Sequence, residues 1–105
     1  MTALLLILAL AAHPACWADG HNAHRSRPAL RAFRHAHPCP GGVDRGSVTR
    51  CRGYIIDHVV SLACCGPDAP CNMQWQTKDA AKAKDRWEND CAAAARRVHN
   101  TCETP

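Results

Sequence analysis

The number of cysteines is the feature that most constrains how this chain can fold. A chain of 105 residues has room for a single domain with a small apolar core, and such domains usually need additional stabilisation. In short exported chains, disulfides formed in an oxidising compartment supply it. We therefore expect a disulfide-stapled domain, although the spacing alone leaves the pairing open. The chain has eight cysteines, at positions 16, 39, 51, 64, 65, 71, 91 and 102.

The N-terminal segment predicts export. Its apolar run extends from Leu4 to Ala12 and is followed by small residues. Such a run is too short to cross a bilayer, which takes ~20 residues, but it suits the hydrophobic region of a signal peptide. We expect residues 1–18 to be a signal peptide cleaved after Ala18, which leaves a secreted or periplasmic protein without a membrane attachment. A buried N-terminal helix and a lipoprotein site at Cys16 are the alternatives.

The next two segments predict a flexible lead-in and a short helix. Residues 19–27 carry histidines and arginines without a hydrophobic period, which is typical of a flexible basic segment. Residues 28–37 begin with a proline, place Leu30 and Phe33 three residues apart and stop before another proline. These signals predict a helix whose apolar residues pack on the domain. We expect the folded domain to comprise residues 28–105.

The adjacent pair Asp57 and His58 is the main functional candidate. It lies in a run of β-branched and aromatic residues that predicts a strand. Neighbouring side chains on a strand point to opposite faces, so the two can serve one site only where the strand ends or bulges. The Cys, Gly and Pro residues that follow Ser61 predict that the strand ends there. A functional site that uses both Asp57 and His58 requires the two side chains to face the same cleft.

The following residues predict a second strand and a long helix. Residues 72–76 alternate in polarity, and Thr77 is a good helix N-cap. Apolar residues recurring at three- and four-residue steps predict one helix over residues 78–98. We expect the two strands to pair antiparallel with this helix across them, which gives a small α+β fold with a short N-terminal helix. The apolar stripe consists of Ala80, Ala83, Trp87, Cys91, Ala94 and Val98.

These residues resemble the motif of the HNH endonuclease family. In that family an Asp-His pair is followed by a loop with Gly and Asp, then by Asn and a helix, and together they form a ββα-metal fold. The resemblance covers about a third of the chain, and the NMQWQT and AKAKDRWE segments are similar to small exported bacterial members. It implies disulfides Cys39–Cys51 and Cys64–Cys91. The matching residues here are Asp57, His58, Leu62, Gly66, Asp68, Asn72, Met73, Gln74, Trp75, Gln76 and Thr77.

The resemblance also implies roles for individual residues. His58 would be the general base, and Asn72 would pin the loop and orient that base by hydrogen bonds. Asp57 would hold one divalent cation, Mg²⁺ by preference and Mn²⁺ as the alternative. Many HNH enzymes have His or Asn at a helix position that corresponds here to Ala81, which has no ligating atom. Asp85, one turn further on, is the candidate metal ligand in its place.

Structural zinc is not favoured. Many HNH domains bind zinc through two Cys-x-x-Cys pairs, and no Cys-x-x-Cys occurs in this sequence.

The expected function is therefore metal-dependent hydrolysis of nucleic acid. The resemblance implies an endonuclease that cuts phosphodiester bonds of DNA, with RNA as an alternative substrate. A formal net charge of +4 favours a polyanionic partner. No recognition helix is evident, so we expect phosphate contacts with little sequence preference. The alternative is a catalytically impaired module on the same fold that binds nucleic acid or a protein.

Overall fold

The computed structural model describes residues 25–42 and 50–102 as a small mixed α/β structure. The predicted signal peptide, residues 1–18, lies outside the described residues, as does most of the predicted lead-in. Within the described part, 3₁₀ turns occupy Pro40–Gly42, Leu62–Cys64 and Pro70–Asn72. The helices and strands are α1 (Arg27–Ala36), β1 (Tyr54–His58), β2 (Met73–Thr77), α2 (Lys78–Asp85) and α3 (Cys91–Ala95).

The two strands form the predicted antiparallel pair. Asp57 lies opposite Gln74, and His58 lies opposite Met73. The second strand begins one residue later than predicted, because Asn72 is the last residue of a 3₁₀ turn. The predicted cap is confirmed, since the Thr77 hydroxyl accepts a hydrogen bond from the backbone N–H at the start of α2. Helix α2 packs on both strands, and its Lys84 side chain reaches Asp57.

Helix α1 anchors the N-terminal part of the domain. The predicted proline stands in its first turn, although α1 begins and ends one residue earlier than predicted. Ser26, which was not predicted as a cap, accepts a hydrogen bond from the N–H of Ala29 with its side chain. Phe33 is 2% exposed and lies with its ring centroid 5.6 Å from that of Trp75. The Trp75 indole N–H donates to the backbone oxygen of His37 at 3.0 Å. These contacts fasten α1 to β2.

The prediction of one helix over residues 78–98 is wrong. The chain forms α2 and α3 with a turn at residues 86–89 between them. Asp90 begins the second helix as an N-cap, and its carboxylate accepts the N–H of Ala93 at 3.1 Å. A side chain that satisfies free N–H groups starts a new helix even where the apolar period continues.

The predicted apolar stripe is wrong in α2. Ala80 and Ala83 are exposed, whereas Lys84, which was placed off the stripe, is 4% exposed. The face of α2 that meets the sheet therefore carries an ammonium group. Among the described helices, none has the length and apolar character needed to cross a membrane.

Disulfides join segments that are distant in sequence. The two bridges implied by the resemblance are confirmed: Cys39–Cys51 closes the segment between α1 and β1, and Cys64–Cys91 ties the loop after β1 to α3. A third bridge, Cys71–Cys102, holds the C-terminal residues against the turn that precedes β2. Cys65 is also disulfide-bonded, so no described cysteine is a free thiol. These crosslinks supplement a small core formed by Phe33, Cys51, Leu62, Met73 and Ala94.

Candidate functional site

Asn72 fixes the loop between the two strands. Its side chain is fully buried; Oδ1 accepts the N–H of Val60 at 3.0 Å, and Nδ2 donates to the backbone oxygens of Val60 and Pro67, both at 2.9 Å. Its own backbone oxygen accepts the N–H of Val59 at 2.8 Å. Gly66 lies so close that a Cβ there would stand 1.9 Å from the Val60 oxygen. The loop therefore has one tightly packed conformation, and Asn72 acts on the site by holding it.

His58 ends the first strand with its ring held by that loop. It is 4% exposed, and its Nε2 lies 2.9 Å from Oδ1 of Asp68. The other oxygen of Asp68 accepts the backbone N–H of Ser26 at 2.6 Å. Burial opposes ionisation of Asp68, but the hydrogen bonds from Ser26 and His58 outweigh burial and hold the pKa of this carboxyl below its usual value. An ionised carboxylate is thus maintained beside the imidazole.

Asp57 is paired with a buried lysine. Its Oδ2 accepts from Nζ of Lys84 at 2.6 Å and from Nε2 of Gln74 at 3.0 Å. The same ammonium donates to the backbone oxygen of His58 at 2.5 Å and lies 3.7 Å from Oε2 of Glu88. A buried ammonium requires such partners, because an uncompensated charge away from water is strongly unfavourable. Lys84 consequently ties α2 to the strand that bears Asp57 and His58.

Two further carboxylates stand near this ion pair. Burial and a hydrogen bond with Asp85 raise the pKa of the Glu88 carboxyl, and the negative charge of Asp57 acts in the same direction. The Lys84 ammonium opposes these effects without cancelling them. Asp57 and Glu88 are thus both paired with the Lys84 ammonium, and Asp85 adjoins them through its hydrogen bond with Glu88.

The candidate residues line one open cleft of about 290 Å³. Asp57, His58 and Asp85 all reach it, and Ala81 forms part of its wall. His58 is 4% exposed and is one of the residues that line the cleft. Asn72 is not among the lining residues, and its side chain bonds to the loop between the strands.

The predicted site lacks three residues of this region. Glu88 is one of them, although its position three and four residues after Asp85 and Lys84 predicts that these side chains lie close together. Lys84 was assigned to a solvent-exposed face because of its residue type. Arg25, which lines the cleft and whose charge helps to lower the pKa of Asp68, was placed in the flexible lead-in. Its proximity depends on the contact between Ser26 and Asp68, which no local pattern reveals.

The donor chemistry of the cleft suits a hard cation. Carboxylate oxygens are the preferred ligands of Mg²⁺ and Mn²⁺, and Asp57, Asp85 and Glu88 supply them. Within residues 25–42 and 50–102, no three metal-ligating side chains converge closely enough to complete a site. Mg²⁺ commonly binds through one or two carboxylates and keeps several waters, so a partial protein shell is compatible with it.

No protein-family model, curated protein or solved structure matches this chain. The functional assignment accordingly depends on the residues of the cleft.

Proposed function

We propose that this chain is a small exported endonuclease of HNH type that hydrolyses phosphodiester bonds with the help of a divalent metal ion. The observation that carries the proposal is the shared cleft of His58, Asp57 and Asp85 at the end of a strand pair covered by a helix. The order of strand, loop, strand and helix supports a ββα-metal domain. DNA is the proposed substrate, with RNA as the alternative and little sequence preference in either case.

Hydrolysis requires a base for the attacking water and positive charge near the phosphate. His58 is the base in this proposal, since a neutral imidazole has one nitrogen lone pair that can accept a proton from water. Asp57 and Asp85 would hold the metal ion, Mg²⁺ by preference, which supplies Lewis-acid stabilisation of the phosphate charge. Lys84 keeps Asp57 in place through the bond at 2.6 Å. Asn72 keeps the loop beside the imidazole in its packed conformation.

Basic groups near the cleft favour a polyanionic substrate. Arg25 lines the cleft itself, and Arg27 and Arg31 lie on the adjoining helix α1, where Arg31 is exposed. Guanidinium groups bind phosphate oxygens through paired hydrogen bonds and keep their charge at all physiological pH values. Contacts of this type do not distinguish bases, which agrees with weak sequence preference.

The proposal is tested by incubating the oxidised protein with supercoiled plasmid DNA and Mg²⁺ or Mn²⁺. We expect nicking that a chelator abolishes and that His58→Ala reduces on the order of 10²-fold or more, the usual effect of losing a general base. His35→Ala, which changes an exposed histidine of α1, is the matched control and should cut like the wild type. Absence of cutting with both metals, or equal cutting by His58→Ala, would overturn the proposal.

An impaired binding module is the second candidate. Two observations favour it: Ala81 lies in the cleft wall without a ligating atom, and Lys84 already neutralises Asp57. In that case the protein should retain DNA in a filter-binding assay with a salt-dependent affinity but produce no cleavage products with either metal.

A further inference from the structure

We propose that Asp68 is a positioning residue for His58: its carboxylate holds the imidazole in the form protonated at Nε2 and leaves Nδ1 as the nitrogen that accepts a proton. Asp68 is among the residues that match the HNH motif, but the resemblance implies no role for it in orienting His58. The catalytic consequence rests on the proposed nuclease function, but the arrangement of the ring is a property of the folded chain and can be measured without any activity.

The carboxylate of Asp68 is held from two sides. Oδ1 lies 2.9 Å from Nε2 of His58, and Oδ2 lies 2.6 Å from the backbone nitrogen of Ser26. The two oxygens have different partners, so rotation of the carboxylate would break at least one hydrogen bond. The His58 side chain is 4% exposed and that of Asp68 is 20% exposed, which limits competition from water.

The backbone on either side of Asp68 is fixed as well. The preceding residue, Pro67, accepts the hydrogen bond from Nδ2 of Asn72 at 2.9 Å. Gly66, one residue earlier, approaches the Val60 backbone more closely than any side chain permits. A segment clamped in this way presents its carboxylate to the imidazole at one distance, which is what a positioning residue requires.

Imidazole chemistry then determines which nitrogen is reactive. A neutral ring has one N–H donor and one nitrogen lone pair, and an ionised carboxylate can only accept. The hydrogen bond to Asp68 therefore selects the ring with its proton on Nε2 and the lone pair on Nδ1. In the proposed hydrolysis, Nδ1 takes the proton of the attacking water while the water oxygen bonds to phosphorus and the bond from phosphorus to the leaving oxygen breaks. The imidazolium stays paired with the Asp68 carboxylate, and the neutral ring returns when this proton passes to solvent, from which the leaving oxygen takes up a proton. The lowered pKa of Asp68 keeps its carboxyl ionised throughout.

The contrasting interpretation is that Asp68 only fastens the start of α1. Its bond to the N–H of Ser26, the N-cap residue, serves that purpose by itself. A fastening role predicts that removing the carboxylate charge alters stability and leaves the His58 ring form unchanged. A positioning role predicts that the ring form changes.

The test is a two-bond ¹H–¹⁵N correlation spectrum of the full oxidised chain labelled at histidine nitrogens, recorded where the ring is neutral. The His58 signals are assigned by their loss in His58→Gln. We expect wild-type His58 to carry its proton on Nε2, and Asp68→Asn to show a new population protonated on Nδ1. Asp79→Asn removes the same charge from an exposed residue of α2 and should leave the His58 signals in place.

Two results would overturn the proposal: a wild-type ring protonated on Nδ1, or an unchanged His58 spectrum in a folded Asp68→Asn. The first result does not depend on Asp68→Asn, so the test survives even if that variant fails to fold. In the plasmid assay, Asp68→Asn should lower kcat on the order of 10-fold to 10²-fold with little change in KM. If the His58 ring is protonated on Nε2 as expected but the wild type cuts no plasmid, the nuclease function is rejected and the positioning of the ring by Asp68 is not.

Discussion

At the residue scale, the most consequential side chain is one whose residue type predicts exposure to solvent. Lys84 is buried between α2 and the sheet, where its ammonium is shared by Asp57 and the backbone oxygen of His58. Residue type predicts a lysine at the surface, and only the packing of α2 on the strands reverses that expectation. The approach of Glu88 to the same ammonium does follow from a local pattern, because Glu88 stands four residues after Lys84.

Breaking this ion pair should destabilise the fold. Asp57→Asn leaves the Lys84 ammonium without its anionic partner at 2.6 Å, and removal of one partner from a buried pair typically costs about 3–5 kcal/mol. The free energy of unfolding, measured by denaturant titration with the disulfides intact, checks this. Asp79→Asn is the control; it removes a charge from the exposed first turn of α2 and should lower the free energy of unfolding by at most about 1 kcal/mol. If the loss of unfolding free energy comes from the unpaired Lys84 ammonium, combining Asp57→Asn with Lys84→Met should recover part of it. Wild-type stability of Asp57→Asn alone would contradict this account.

At the element scale, the parts of the fold with strong local signals were predictable. The Pro start of α1, the β-branched run of β1 and the Thr77 cap each satisfy a backbone requirement within a few residues. The break between α2 and α3 was not predictable, because the apolar period continues through it while the Asp90 cap starts a new helix. The grouping of His58, Asp57 and Asp85 on one cleft follows from the hairpin and its helix, whereas Asp68 reaches the ring only through the particular path of the loop.

The loop between the strands should not tolerate a side chain at Gly66. A Cβ there would meet the Val60 oxygen at 1.9 Å and Nδ2 of Asn72 at 2.8 Å, so Gly66→Ala must displace the loop that carries Asp68. We expect a loss of about 1–3 kcal/mol in unfolding free energy, as for other overpacked sites, and altered His58 ring signals.

Gly41→Ala is the matched control for this substitution. Gly41 has a positive φ of 64°, but nothing lies within 4 Å of the position that its Cβ would take, so the cost should be confined to backbone strain of about 1 kcal/mol. It should leave the His58 signals unchanged. Equal effects of the two alanine variants on stability and on these signals would show that the close approach at Gly66 is unimportant.

At the scale of the whole molecule, disulfides compensate for the small core. Two bridges were anticipated from the family resemblance, but Cys71–Cys102 was not, because spacing does not encode which cysteines meet. The three bridges are compatible with an oxidising compartment. Export itself remains a prediction from residues 1–18.

The bridge between Cys71 and Cys102 should contribute more than the shorter one between Cys39 and Cys51. Their sequence separations are 31 and 12, for which chain entropy gives about 4 and about 3 kcal/mol respectively. Paired Cys→Ser variants, compared by denaturant midpoint under oxidising conditions, should follow this order. If removal of the Cys71–Cys102 disulfide leaves the stability unchanged, this disulfide does not compensate for the small apolar core.

The central claim is that the His58 imidazole takes a proton during phosphodiester hydrolysis. The most direct measurement is plasmid cleavage by His58→Ala with and without added free imidazole, since the substitution leaves space for an imidazole molecule beside the cleft. We predict that the variant loses activity on the order of 10²-fold to 10⁴-fold and that imidazole restores part of it, while a control compound of similar size without a basic nitrogen does not. Wild-type activity in His58→Ala without imidazole would contradict the claim.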